Sequence, residues 1–222
     1  MDPGMIALVG IFALAAVFAL WNFAYARSID RRLAALGFER CDAEAPSLEA
    51  TWRALTRSGA SEWEQRLTHC RRRGALCHFT VWERSTRQRA SDETADPGSS
   101  NPAYVFDVRD PESLSRGAVT LHVLPPGSKV LRNLLAGLTD LGDSRPRLEV
   151  GTHSWSPSIF AAHGEVGGTL DDVVPAAVQE KLARAAAHGF FIIHLGKGKA
   201  AFVALPNHRD VDLQLAYLAE WV

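Results

Sequence analysis

The chain has 222 residues, a net charge of −1 and three cysteines. A nucleic-acid-binding domain carries a strongly basic footprint, so this charge balance argues against nucleic acid as a partner. A low, odd number of cysteines is typical of a reducing compartment rather than of a disulfide-stapled secreted domain. The roughly 195 residues after residue 26 are enough for one domain with a full core.

Residues 5–26 read MIALVGIFALAAVFALWNFAYA and contain no charged side chain. As a helix they would reach roughly 30 Å, the thickness of the hydrocarbon core of a bilayer. Trp21 and Tyr25 lie near the downstream end, where amphipathic rings prefer the headgroup level. The stretch therefore predicts a single transmembrane helix, with the lipid bilayer as its partner.

The charge bias around this stretch predicts its orientation. Residues 1–4 carry only Asp2, whereas Arg27, Arg31 and Arg32 follow the apolar run. Because cationic flanks stay on the cytoplasmic side, we expect a short extracytoplasmic N-terminus and a soluble domain in the cytoplasm, at the inner membrane.

Two other interpretations of the apolar run stay open. Ala24-Tyr25-Ala26 has the form of a signal-peptidase site, although the residues before the run include no Lys or Arg. The run would alternatively be a buried helix of a soluble domain, but a helix that is apolar on every face belongs in lipid or in a very large core.

Charge is unevenly distributed after the apolar run. Residues 27–89 hold 13 Arg and 8 acidic residues, a balance of +5, and residues 92–222 hold 11 basic and 16 acidic residues, a balance of −5. A basic membrane-proximal half fits a domain that faces an anionic leaflet. Unequal solvated surfaces are the alternative explanation.

The first elements after the apolar run are short. An amphipathic helical stalk is expected over 27–37, ending at Gly37, and a short strand over Phe38–Cys41. Ser47 is the expected N-cap of a helix that closes at Gly59. The apolar face of that helix is formed by Leu48, Trp52 and Leu55.

Residues from Ser61 onward permit two interpretations. Ser61 and Glu64 match the capping box of a helix, whereas a β-rich segment follows the plausible turn at Arg71–Gly74. We favour a strand, a turn and a strand. Residues 85–102 contain no large apolar side chain and predict a mobile loop within the domain.

The middle of the chain predicts strands over Tyr104–Val108 and Ala118–Leu124, and then a leucine-striped helix from Ser128. Short strands are expected over Leu148–Thr152 and Ser158–Ala162.

The last third has the clearest signals. Pro175 opens a helix that ends at His188-Gly189. Strands over Phe190–Leu195 and Ala200–Leu205 form a hairpin, and Asp210 caps a final helix. Because strands and helices do not alternate regularly, we expect an α+β domain over 38–222 with a largely antiparallel sheet.

One candidate metal site is symmetric around the Arg-rich turn. His69-Cys70 and Cys77-His78 would come together in a hairpin, and zinc binds two Cys and two His. Adjacent residues of a strand point to opposite faces, however, and the spacing matches no standard zinc finger. Buried cysteines with incidental histidines are the preferred interpretation, although a Cys70–Cys77 disulfide becomes plausible if the domain lies outside the cell.

Candidate catalytic residues are sparse. The sequence has no His-Glu-x-x-His, nucleophile elbow or P-loop, and Gly196-Lys-Gly-Lys199 fits a hairpin turn better than a phosphate loop. His163 and Glu165, with Asp171 and Asp172 downstream, form a possible acid–base cluster. His122 and His194 alternate with apolar residues and are expected to be solvated or individually satisfied. No catalytic, cofactor-binding or metal-binding residue is assigned.

The order of elements resembles that of uncharacterised bacterial single-pass membrane proteins: an N-terminal helix, Gly37-Phe38, a meander with a polar loop, and a closing helix–hairpin–helix. The resemblance implies a membrane-anchored α+β domain and no activity.

The expected function is therefore that of a membrane-tethered, non-enzymatic domain that binds a protein partner or self-associates near the cytoplasmic membrane surface. The alternatives are a membrane-bound, hydrolase-like enzyme and an exported ligand-binding or envelope domain. No cofactor is expected.

Overall fold

The structure, a computed structural model, describes residues 17, 27–56, 63–85, 99–108, 114–124, 145–154, 156–196, 198–205 and 210–222. Its contacts divide the chain into two units, Met1–Phe38 and Glu39–Val222. The predicted transmembrane helix lies, except for Val17, outside the described residues, as does the predicted helix from Ser128. Within the described residues, no helix combines the length and the hydropathy that crossing a bilayer requires.

In the first unit, a helix (α1) covers residues 27–35 and ends as predicted at Gly37. The backbone N–H of Phe38 bonds to the carbonyl of Leu33, and that of Gly37 bonds to the carbonyl of Ala34, both at 3.0 Å. This pair of bonds is the Schellman ending. It requires a left-handed residue, which Gly37 supplies with φ of +83°.

The second unit has an α+β fold, as the sequence predicts. Its helices within the described residues, apart from short 3₁₀ turns, are α2 (Ala45–Thr56), α3 (Leu170–Val173), α4 (Ala176–Ala183) and α5 (Val211–Leu218). Its strands are β1 (Glu39–Arg40), β2 (Trp63–Arg73), β3 (Leu76–Ser85), β4 (Ser99–Asp107), β5 (Val119–Val123), β6 (Leu148–Glu149), β7 (Ile159–Gly164), β8 (Gly168–Thr169), β9 (Phe190–Gly196) and β10 (Lys199–Ala204).

Among the described strands, eight form one antiparallel sheet in the order β1-β2-β3-β4-β10-β9-β5-β7. The C-terminal hairpin β9–β10 is inserted between β4 and β5. Strands β6 and β8 form a separate parallel pair.

The two faces of the large sheet bury different cores because successive side chains of a strand point to opposite faces. Ala103 and Val105 of β4 belong to a core with the α2 residues Leu48, Trp52 and Leu55. Tyr104 and Phe106 of the same strand belong to a larger core that includes aromatic residues of the C-terminal third, namely Phe190, Phe202, Tyr217 and Trp221. The side chain of Gln214 on α5 accepts a hydrogen bond from the Tyr104 hydroxyl at 2.9 Å in that core.

The strand–turn–strand interpretation after Ser61 is confirmed by β2 and β3. The turn is at residues 74–75 rather than at Arg71–Gly74, and Gly74 has a positive φ of +59°. Strand β2 also contains a bulge between Thr68 and Arg71, where His69 takes a φ of +55°.

Two local predictions are wrong in their boundaries. Helix α2 begins at Ala45 and not after Ser47, since Pro46 is tolerated in a first helical turn where no backbone N–H is needed. Strand β4 begins at Ser99, so residues 99–102 of the expected loop pair instead with β3. Their polar composition gave no sign of this pairing, which rests on the register with β3.

The C-terminal signals are confirmed. Gly189 closes the turn after α4 with φ of +81°, and the hairpin β9–β10 forms around Gly198. The carboxylate of Asp210 accepts the backbone N–H of Leu213 at 2.9 Å and so caps α5.

The outer edge of β2 is partly covered by a side chain of α2. The carboxylate of Glu49 accepts the backbone N–H of Leu67 at 3.4 Å. This donor is one that an added strand would need, so at Leu67 the edge is occupied by the chain itself.

Candidate functional site

A cleft of about 370 Å³ opens between α2 and the ends of the central strands. One wall is a stripe of α2 residues with small or apolar side chains: Ala50, Thr51, Ala54 and Leu55. Because two of these four are alanines, the helix surface leaves space beside the sheet. We call this space the α2 cleft.

The floor of the α2 cleft is formed by Gly117, Ala118 and Gly196. Ala118 immediately precedes β5 and Gly196 ends β9, so the two residues lie next to the Val119–Leu195 register pair. A Cβ atom at Gly196 would lie 3.2 Å from the Cβ of Ala118, so the closeness of the strands favours glycine there. These residues make the floor both shallow and apolar.

The two ends of the α2 cleft carry opposite charges. Glu165, which follows β7, lines one end, and its Oε2 lies 3.0 Å from the place where a Cβ of Gly117 would be. Lys199, the first residue of β10, lines the other end and forms an ion pair with Asp107 of β4. The cleft therefore has an apolar middle, an acidic end and a basic end.

A buried polar network lies further along the same strands. The Thr120 hydroxyl and Nδ1 of His194 are hydrogen-bonded at 2.8 Å, and Arg145 donates to the same hydroxyl oxygen. Thr120 is 2% and His194 8% exposed, and the His194 ring packs edge-on against Trp52 of α2. Of the two alternatives expected for His194, solvation is excluded by its burial, and a hydrogen-bond partner is found in Thr120.

This network contains the atoms of a hydroxyl nucleophile and a neighbouring base. Neither Thr120 nor His194 is among the described residues that line the α2 cleft, however. With 2% of its surface accessible, Thr120 offers its hydroxyl to protein groups rather than to a substrate. These hydrogen bonds therefore have a structural role and link β5, β9 and the segment before β6.

His163 and Glu165 differ in environment. His163 of β7 is 1% exposed and lies edge-on to the half-buried ring of His122, at a centroid distance of 5.9 Å. Glu165 is exposed. The proposed acid–base cluster thus has its imidazole inside the sheet and its carboxylate at the surface.

The two aspartates proposed for that cluster have other partners. Asp171 accepts the amide of Gln179 at 2.7 Å and contacts Nε2 of His153 at 3.2 Å. Asp172 forms a capping box with Thr169, and those hydrogen bonds hold the pKa of its carboxyl below the ordinary value. Asp172 therefore caps α3, and Asp171 links α3 to Gln179 of α4.

Other histidine and tryptophan side chains have structural contacts where they are described. His188 bonds to the carbonyl of Arg184 at 2.9 Å and stacks on Tyr217. Trp82 is half-buried beneath the guanidinium of Arg66. His208, Trp155 and the side chain of Trp63 lie outside the described part of the chain.

The symmetric His-Cys motif is divided between the two faces of the sheet. Cys70 and Cys77 are buried in the α2-side core, whereas the ring of His78 packs against Tyr104 of the other core at 4.9 Å. His69 is exposed at the bulge. Among the described residues, no group of three or more His, Cys, Asp or Glu side chains is arranged to hold a metal ion.

The three cysteines are neighbours, which the sequence spacing did not indicate for Cys41. Cys41 donates its backbone N–H to the carbonyl of Cys70 at 3.0 Å, and none of the thiols is in a disulfide. Burial raises the pKa of Cys70 to about 11 and also raises those of Cys41 and Cys77. Thiols with raised pKa values are poor nucleophiles and poor metal ligands at neutral pH.

The α2 cleft has room for a molecule from outside. Its described lining includes one carboxylate, one ammonium and one hydroxyl, on Glu165, Lys199 and Thr51. Comparison of the chain with protein-family models, with curated proteins and with solved structures gives no match.

Proposed function

We propose that the chain is a membrane-tethered, non-enzymatic domain that binds a protein partner near the cytoplasmic membrane surface, and that the α2 cleft is the binding site. The observation that carries the proposal is the lining of the cleft. Of its nine described residues, only Glu165 and Lys199 ionise. Such a mostly apolar lining, with one charge of each sign, supports recognition of a partner.

The tether is supported by the sequence. Residues 5–26 carry no charge, and Arg27, Arg31 and Arg32 follow them. Extraction of membranes with alkaline carbonate tests this part of the proposal, because an integral helix stays in the pellet. A full-length chain that washes into the supernatant overturns the tether.

The cytoplasmic placement has its own test. A green fluorescent protein fused after Val222 is expected to fluoresce in bacterial cells, and alkaline phosphatase fused at the same point is expected to be inactive. An active phosphatase fusion would assign the domain to the other side of the membrane.

Binding at the α2 cleft is tested by site-specific photocrosslinking in intact cells. A benzophenone amino acid in place of Thr51, on the wall of the cleft, should give a protein adduct on irradiation. The same amino acid at Glu180, an exposed position of α4, is the matched control and should give none.

A filling variant links the adduct to the cleft. Ala54→Trp places a large ring on the exposed side of α2 and should abolish the Thr51 adduct without unfolding the domain. Equal adducts at both positions, or an adduct unaffected by the filling, would overturn the assignment. An adduct with twice the mass of the chain would show self-association in place of a separate partner.

A further inference from the structure

We infer that the α2 cleft binds an extended segment of the partner protein in which a basic, an apolar and an acidic side chain occupy alternate positions. The inference rests on the proposed function and names the chemistry of its partner. It follows from the order of charges and apolar groups across the strand ends.

The order of groups across the sheet follows from the register. Lys199 on β10 pairs with Gly196 on β9, and β9 is followed by β5 and β7. Adjacent strands lie about 4.8 Å apart, so three steps separate the backbone of Lys199 from the end of β7 by about 14 Å. Glu165 follows at that end.

An extended peptide matches this separation. Its residues rise by about 3.4 Å each, so residues i and i+4 are about 14 Å apart, and residues i, i+2 and i+4 point to the same side. A segment lying across the strand ends therefore presents two outer side chains to Glu165 and Lys199. Its middle side chain meets the floor at Ala118 and Gly196.

Charge complementarity determines the types of the outer residues. Glu165 already interacts within the chain, but a carboxylate has two oxygens with about four acceptor sites and accommodates a basic side chain as well. Lys199 is ion-paired with Asp107, but an ammonium has three N–H donors and accommodates a second carboxylate. The small residues of the floor, together with Leu55 and Ala54, favour an apolar side chain in the middle.

The inference is tested with blocked, fluorescein-labelled pentapeptides and the full chain in detergent micelles, by fluorescence anisotropy. The probe is lysine–alanine–leucine–alanine–glutamate. One control replaces its lysine by glutamate, and a second replaces its leucine by serine. The wild-type chain should bind the probe roughly two- to fivefold more tightly than the glutamate control, the range expected for one exposed ion pair.

A charge reversal gives the decisive comparison. Glu165→Lys should invert the preference, so that the peptide with two glutamates binds more tightly than the probe. Glu180→Lys makes the same charge change at an exposed position of α4 and should leave the preference between the two peptides unchanged. Thermal unfolding of both variants verifies that each is folded.

An unchanged preference in folded Glu165→Lys, or equal binding of the leucine and serine peptides, overturns the inference. The proposed function fails separately, when the Thr51 photocrosslink is absent or matches that at Glu180. A Thr51 adduct without peptide discrimination would leave the partner site in place and reject only the basic–apolar–acidic chemistry.

Discussion

The network of Arg145, Thr120 and His194 allows a quantitative test of its structural role. In Thr120→Val the shape of the side chain is nearly kept, but the 2.8 Å bond to His194 and the bond from Arg145 are lost. A neutral hydrogen bond contributes about 1 kcal/mol to stability and one to a charged group about 1.5–3 kcal/mol. We therefore expect the free energy of unfolding to fall by about 3 kcal/mol.

Thr120→Ser is the matched control, because it keeps the hydroxyl and removes one buried methyl group. That loss costs about 0.8 kcal/mol. For a domain of this size, each kcal/mol lowers Tm by about 2–4 °C, so the valine variant should melt about 6–12 °C and the serine variant about 2–3 °C below wild type. Tryptophan fluorescence of the full chain in detergent micelles measures both, since Trp52 contacts His194.

The structural role of the Thr120 hydrogen bonds is refuted if the valine variant is no less stable than the serine variant. A double-mutant cycle adds a second criterion. Because Arg145 donates to Thr120, the combined effect of Arg145→Met and Thr120→Val should be smaller than the sum of the single effects. Strict additivity would show that the two side chains do not act together.

Three further predictions concern other parts of the domain. Burial raises the pKa of Glu83 above its ordinary value. The stabilising contribution of the protonated carboxyl is therefore complete below the ordinary pKa and is lost as the pH rises through the higher pKa of the folded state. The Tm of Glu83→Gln should exceed that of wild type at about pH 7 and equal it near about pH 4, and a Tm difference that stays constant across this range would contradict the prediction. Asp210→Ala should lower the free energy of unfolding by about 1 kcal/mol through loss of the α5 cap, whereas Asp210→Asn, which keeps an acceptor oxygen, should cost less in the same melting assay. A thiol reagent followed by peptide mapping should modify half-exposed Cys41 first and reach buried Cys70 and Cys77 only on unfolding; equal rates for all three in the folded chain would show that burial does not protect them.

The elements that the sequence predicted best are those with local causes. Gly37 ends a helix, Asp210 caps one and Gly198 closes a hairpin, and each acts on residues within a few positions of itself. The helix face of Leu48, Trp52 and Leu55 was likewise visible, because a period of 3.6 residues identifies a buried stripe without knowledge of what covers it.

The features that the sequence did not reveal depend on contacts between distant segments. Thr120 and His194 are 74 positions apart, and alternation along a strand shows which face a side chain takes but not what covers that face. The α2 cleft likewise combines a helix near the N-terminus with strand ends more than sixty residues later. Its position follows from the strand order, which pairs β10 with β4.

The insertion of β9–β10 between β4 and β5 has a consequence for the synthesis of the protein. Ribosomes add roughly 5–20 residues per second, and residues 190–204 are synthesised after both of the strands that they join, β4 and β5. Until then β4 and β5 each lack a neighbour, so two rows of backbone donors and acceptors are exposed on the nascent polypeptide. We expect the large sheet to be completed only after residues 190–204 have emerged, and a ribosome-bound chain stopped before Phe190 to be sensitive to proteases along β4 and β5.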